Sequence, residues 1–307
     1  MHTLIKTSDL NTVKPFLEQF YLPPPESYKG QNGRVLVVGG SHLFHSASIW
    51  PAEIAAHFVD IVHYASVEEN NDIMRNLKKN FHNGIVVPLE NIDDYVVEDD
   101  TILIGNGMVR GEISNTKSYD NLSAILALQN EYEITYHLTC YLLQKYKNKK
   151  FVLDAGSLQM MDHNWLLDLD STPIITPHML EFEKLFGINV CKKSFDEKIE
   201  IVKHTAKQFH SVIMLKTVKD IISDGENVYV IEGGNPGLTK GGTGDILAGI
   251  TASLYTKNNP IISAVIASFI LKYTADKLFI KKGYWYNNDD IIKKIPEILH
   301  ELILGLT

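Results

Sequence analysis

Arg34-Val35-Leu36-Val37-Val38-Gly39-Gly40 is the stretch from which the fold is read. An unbroken apolar run stops at a pair of glycines. It is too short for a helix and suits a strand buried on both faces. Working outward, runs of the same form stand at 61–65, 84–88, 101–105, 151–156, 173–176 and 212–216. Helix-length segments separate several of them, at 46–58, 121–146 and 195–210. Alternating helices and apolar strands imply an α/β protein, with a mostly parallel central sheet and helices on both faces. Ile221 to Val230 breaks the rhythm, because two strand-like runs flank Asp224-Gly225, the signature of a hairpin. Past it the chain is helical. Ile246, Leu247, Ile250 and Leu254 line one face, and further helices are expected near 261–280 and 289–303.

The 307 residues suffice for one large domain. Residues 1–30 read as a separate N-terminal segment, since Leu22-Pro23-Pro24-Pro25 cannot lie inside a helix. Residues 31–307 read as one domain. Acidic residues outnumber basic ones, 37 to 29, for a net charge of −8, which argues against a nucleic-acid partner. Cys140 and Cys191 make neither a disulfide framework nor a metal site, so a reducing, cytoplasmic compartment is expected. The N-terminus has no secretory apolar core. The apolar stretch 261–271 is too short to cross a bilayer, so it reads as a buried helix and no membrane partner is expected.

The densest chemical signal is Asn235-Pro236-Gly237-Leu238-Thr239-Lys240-Gly241-Gly242-Thr243-Gly244-Asp245. Glycines let a backbone come close to a ligand. The helix that begins there offers free N–H groups and a positive dipole end, which together bind anions. A carboxylate in that place would repel a phosphate unless it had a chemical task, so Asp245 reads as an acid/base beside a transferring phosphoryl group. Its competing role is a simple helix cap. The spacing fits neither a Walker A loop nor a dinucleotide-binding fingerprint.

These residues resemble the anion hole and catalytic Asp of the ribokinase-like superfamily. The wider order is similar to the NAD(P)H-hydrate dehydratases. It runs through Asn32-Gly33-Arg34 to Ser41, Leu153-Asp154-Ala155-Gly156, Thr176-Pro177-His178-Met179-Leu180-Glu181, Leu215-Lys216 and Asp220-Ile221-Ile222, and ends in the Asn235 to Asp245 loop. The resemblance covers roughly residues 30 to 300. It implies a three-layer ribokinase-like fold and ADP- or ATP-dependent dehydration of hydrated NADH or NADPH (NADHX, NADPHX), with Mg²⁺ accompanying the nucleotide. By resemblance, Asp245 takes the substrate's hydroxyl proton and belongs also to the substrate site. Gly241, Gly242, Thr243, Gly244 and Lys216 hold the nucleotide phosphates, and His178 and Gly107 lie against the hydrated cofactor. No metal ligands are assigned, and monomer and homo-oligomer both stay open. The form of the Pro-His and Asn-Pro-Gly segments leans toward ADP. Members usually carry Gly-Pro-Gly-Leu-Gly where this chain has Gly105-Asn106-Gly107-Met108-Val109. They usually follow the strand-end lysine with Gly, where this chain has Thr217. The length leaves no room for the epimerase domain fused to many members. The competing functions are a small-molecule kinase of the same superfamily and a non-catalytic nucleotide sensor.

Overall fold

A computed structural model describes residues 2–113, 116–117 and 119–305. Its strands are β1 (Thr3–Lys6), β2 (Arg34–Val38), β3 (Ile61–Ser66), β4 (Ile85–Pro88), β5 (Thr101–Ile104), β6 (Lys150–Leu153), β7 (Ile174–Ile175), β8 (Val212–Leu215), β9 (Asp220–Ser223) and β10 (Val228–Glu232). All ten form one sheet in the order β1-β10-β9-β8-β7-β6-β5-β2-β3-β4. Only β9 runs against the rest, through the expected hairpin with β10 and its pairing to β8.

The apolar runs are unbroken because both faces of the sheet are covered. Val35 and Val37 of β2 enter one core layer with the helices Ser46–Ala55, Thr243–Tyr255, Pro260–Lys282 and Asn288–Leu299. Leu36 and Val38 enter the other, with Ile92–Glu98, Glu131–Lys145, Met179–Phe186 and Phe195–Gln208. These are the three layers the alternation implied. No helix among the described residues is long and apolar enough to cross a membrane. Stretch 261–271 is buried inside Pro260–Lys282, as expected.

Two details differ from the sequence reading. Segment 121–146 holds two helices, Leu122–Leu126 and Glu131–Lys145, because Asn130 begins a new helix with Glu131 and Glu133 in its first turn. Residues 1–30, expected to stand apart, supply the edge strand β1, which pairs in parallel with β10. Ile5, Val13, Phe16 and Leu17 of this segment are part of the core.

The chain winds from β2 outward to β4, then returns to place β5 on the other side of β2. Open α/β sheets bind ligands beyond the carboxyl ends of the strands, at such a reversal. On one side of that reversal, the carboxyl ends of β5, β6, β7 and β8 deliver Asn106, Asp154, Thr176 and Lys216.

Candidate active site

Close packing of loops builds the floor of the site. Gly105 has φ +120°, and a Cβ there would lie 1.9 Å from the Asp154 carbonyl oxygen. Only a glycine lets the loop after β5 come this near the loop after β6. The next residue, Asn106, is fully buried. Its Nδ2 donates to Asp154 Oδ2 at 2.9 Å and to Asp245 Oδ1 at 2.7 Å. Asp154 Oδ1 accepts from Lys216 Nζ at 2.7 Å and Thr176 Oγ1 at 2.8 Å. Ala155, next along, holds φ 45°, a left-handed conformation unusual for a residue with a Cβ.

Lys216 extends β8 through an N–H bond to the Pro177 carbonyl and a parallel bridge with His178. Burial alone would depress its ammonium pKa. The carboxylates of Asp154 and Glu181 outweigh burial and hold it above the ordinary lysine value. Glu181 Oε2 is 3.9 Å from Lys216 Nζ, and Glu181 Oε1 accepts from Gln159 at 3.0 Å.

The helix Thr243–Tyr255 starts at Gly242, whose φ of +97° replaces a capping side chain. The N–H groups of Gly242, Gly244 and Asp245 meet no protein acceptor among the described residues. The Thr243 N–H reaches only the Lys240 carbonyl, at 3.4 Å. The Thr243 hydroxyl is turned back on the carbonyls of Leu238 and Lys240, so it shapes the loop. A Cβ on Gly244 would stand 3.5 Å from Lys216 Nζ, which puts bare backbone beside the ammonium. Asp245 is not a cap for this helix, since no side chain caps it. Burial, then the Asp154 charge, push the Asp245 carboxyl pKa up to about 7, against the opposing pull of Asn106 and Lys216.

Lys216, Gly241 to Asp245, His178 and Asp154 line one cavity of about 530 Å³. Gly107 does not line it. At φ +71° Gly107 packs on Ala47 and Gly40, beside a second cavity of about 270 Å³ between the β2 and β5 ends, lined by Gly40, Glu68 and Met108 among others. The structure gives His178 a capping task. Its Nδ1 accepts the N–H groups of Leu180 and Glu181, both at 3.1 Å, while Glu181 returns a bond to the His178 N–H. This is a capping box. The other ring nitrogen, His178 Nε2, lies 3.4 Å from Glu181 Oε1, and the half-exposed ring stands on the cavity wall. Asn106, Asp154, Thr176 and Gln159 were assigned no role from the sequence. Asp154 carried a usable signal, a carboxylate directly after a buried strand. Asn106 carried none.

Among the described residues, no cluster of three or more His, Cys, Asp or Glu side chains could hold a metal ion. Of the carboxylates lining the cavity, Asp154 is committed to Lys216, Thr176 and Asn106. A Mg²⁺ here fits as a cation carried chiefly by nucleotide phosphates.

A sheet between two helix layers, with a glycine-walled helix start, a strand-end lysine and a carboxylate at the first helical turn, is a ribokinase-like fold. The structure is similar to a ribokinase-like superfamily protein of Enterococcus faecalis, with TM-score 0.78 and 21% identity over 98% of this chain and 97% of that one. It is likewise similar to the ADP/ATP-dependent NAD(P)H-hydrate dehydratase of Bacillus subtilis co-crystallised with ATP/Mg²⁺, with TM-score 0.74 and 19% identity over 94% and 96%. The chain belongs to the NAD(P)H-hydrate dehydratase family, whose sequence profile matches residues 35–297. It is 34% identical over 279 residues to a bifunctional NAD(P)H-hydrate repair enzyme of Methanocaldococcus jannaschii, covering 89% of this chain and 49% of that protein. It is 33% identical over 275 residues to the ADP-dependent (S)-NAD(P)H-hydrate dehydratase of Nitrosopumilus maritimus, covering 89% and 91%. The chain thus spans about half the length of the bifunctional relatives and nine-tenths of the single-function one.

Proposed function

We propose that this chain dehydrates hydrated NADH or NADPH with ADP as phosphoryl donor, ATP being the alternative donor. The observation that carries this reading is a carboxyl group held by Asn106 beside Asp154 and Lys216, on the first turn of a helix whose N–H groups are open to an anion; burial and the Asp154 charge raise its pKa toward neutrality. A group so poised can take a proton near neutral pH. The N–H groups of Gly242 and Gly244, with Lys216, would hold the transferring phosphoryl group. Asp245 would take the proton of the ring hydroxyl as its oxygen attacks the terminal phosphorus of ADP, releasing AMP. The ring carbon–oxygen bond then breaks to phosphate, and the neighbouring ring carbon gives up a proton to re-form the double bond. Hydroxide is a poor leaving group and phosphate a good one, which is why the nucleotide is spent. Mg²⁺ would supply positive charge on the nucleotide phosphates.

The test is incubation of the protein with NADHX and ADP while following reduced-nicotinamide absorbance. The proposal expects absorbance to return only when both are present. A small-molecule kinase would leave the absorbance flat and consume nucleotide with another substrate. A sensor would bind nucleotide without turnover.

A further inference from the structure

We infer that Asn106 is a positioning residue for the proposed base, an amide clamp that holds Asp245 and Asp154 together and selects Asp245 Oδ2 as the oxygen that meets the substrate. The inference rests on the role proposed for Asp245.

Two carboxylates on separate elements converge at this point, Asp154 after β6 and Asp245 on the helix Thr243–Tyr255. Left alone they would share a proton, because like charges at close range do not both ionise readily. The two amide hydrogens of Asn106 Nδ2 go one to each, at 2.9 and 2.7 Å. The opposite amide orientation would aim a carbonyl oxygen at two acceptors, so the network admits only one. The arrangement leaves Asn106 Oδ1 buried without a partner. A loop residue with a purely local role would not keep such an orphan acceptor. The bond to Asp245 occupies Oδ1, and Oδ2 accepts no hydrogen bond from a described residue. A proton taken from a substrate hydroxyl therefore arrives on Oδ2.

The charged groups that weigh most on Asp245 are Asp154, Lys216 and Glu181, while His178, Asp220, Lys240 and Lys272 stand elsewhere on the cavity wall. Of the first three, only Lys216 favours its ionised form, and that ammonium is bonded to Asp154. Asn106 is thus the one direct donor on the Asp245 carboxylate among the described side chains.

The test is the titration of Asp245 itself, read by carboxyl-carbon NMR in the parent, in Asn106→Leu and in Asn106→Asp. Leu keeps the approximate volume and removes the donor. Asp keeps the shape and can donate only when protonated. Both should move the Asp245 midpoint upward by roughly one to two pH units, the worth of a hydrogen bond to a charged group. The acidic limb of kcat/KM for NADHX should move by the same amount, with kcat recovering at high pH. Either variant decides the question if the other fails to fold. An unchanged midpoint overturns the inference, as does a loss of rate that is uniform across pH. The titration needs no substrate, so it decides the role of Asn106 independently of the dehydratase reading, which falls if the parent restores no NADH.

Discussion

At the scale of the residue, the role proposed for Asp245 sets activity against stability. Its folded pKa of about 7 lies above the ordinary carboxylate value of 3.8. The folded protein therefore holds this proton more tightly than the unfolded chain does. No penalty exists below about pH 4; it grows as pH rises through the folded pKa and is constant above it. Asp245→Asn should thus melt higher than the parent at pH 8, by up to about 4 kcal/mol, with the gap closing toward pH 4. Thermal melts of both proteins across that range check it, and a less stable Asn variant at pH 8 would contradict the burial argument. Its nucleotide affinity should be kept or improve, since a negative charge beside the phosphates is gone. That Asp245 and Lys216 come to one cavity was legible in the sequence, because each sits at a local landmark, a helix start and a strand end. Asn106 was not, because its chemistry exists only through carboxylates 48 and 139 residues away.

At the scale of the element, the glycine loop divides into positions that need glycine and positions that do not. A Cβ on Gly242 would lie 2.2 Å from the Trp50 ring and 2.1 Å from Asn288 Nδ2, at a φ of +97°. A Cβ on Gly241 meets nothing within 4 Å. Gly242→Ala should lose more than about 2 kcal/mol of stability, and ADP binding with it, whereas Gly241→Ala should stay within about 1 kcal/mol. Denaturant melts with and without ADP separate the two, and equal effects would show that the loop is not held as described. His178 caps its helix; if it also meets the substrate, as the resemblance implies, its substitutions should split. His178→Ala loses the cap, worth about 0.5–2 kcal/mol, as well as the ligand contact, while His178→Asn keeps a capping acceptor and loses only the contact. Separate measurement of stability and of KM for NADHX and for ADP tests this, with both variants raising KM for NADHX more than for ADP. The buried strands were readable from unbroken apolar runs, because a strand covered on both faces has no reason to alternate. β1 was not readable: its four residues carry only one fully buried side chain, Ile5, and only its pairing with β10 makes it a strand.

At the scale of the whole molecule, the N-terminal segment closes the edge of the sheet on which the hairpin lies. Removing residues 1–30 would bare β10 and take Ile5, Val13, Phe16 and Leu17 out of the core. Each buried apolar side chain is worth roughly 1.5–3 kcal/mol, so the melting temperature should fall by about 10 °C or more. A truncated protein as stable as the parent would restore the segment to the separate status read from its prolines. The candidate cavity lies at the ends of the central strands of the same sheet; if it takes the nucleotide as proposed, ADP should raise the melting temperature far more than adenosine does, through phosphates bound by the open N–H groups and Lys216. Family and fold were visible in the order of short motifs along the chain, while the depth of the candidate site came from loops that only the folded sheet brings together. The central claim is a phosphoryl transfer followed by elimination, with Asp245 as base. Its most direct measurement is the ratio of phosphate and AMP released to NADH restored, from NADHX and ADP, in the parent and in Asp245→Asn. The account predicts one phosphate and one AMP per NADH in the parent, and a rate lower by about 10²–10⁴ in the variant. NADH restored without phosphate release, or an Asn variant within a few-fold of the parent, would contradict it.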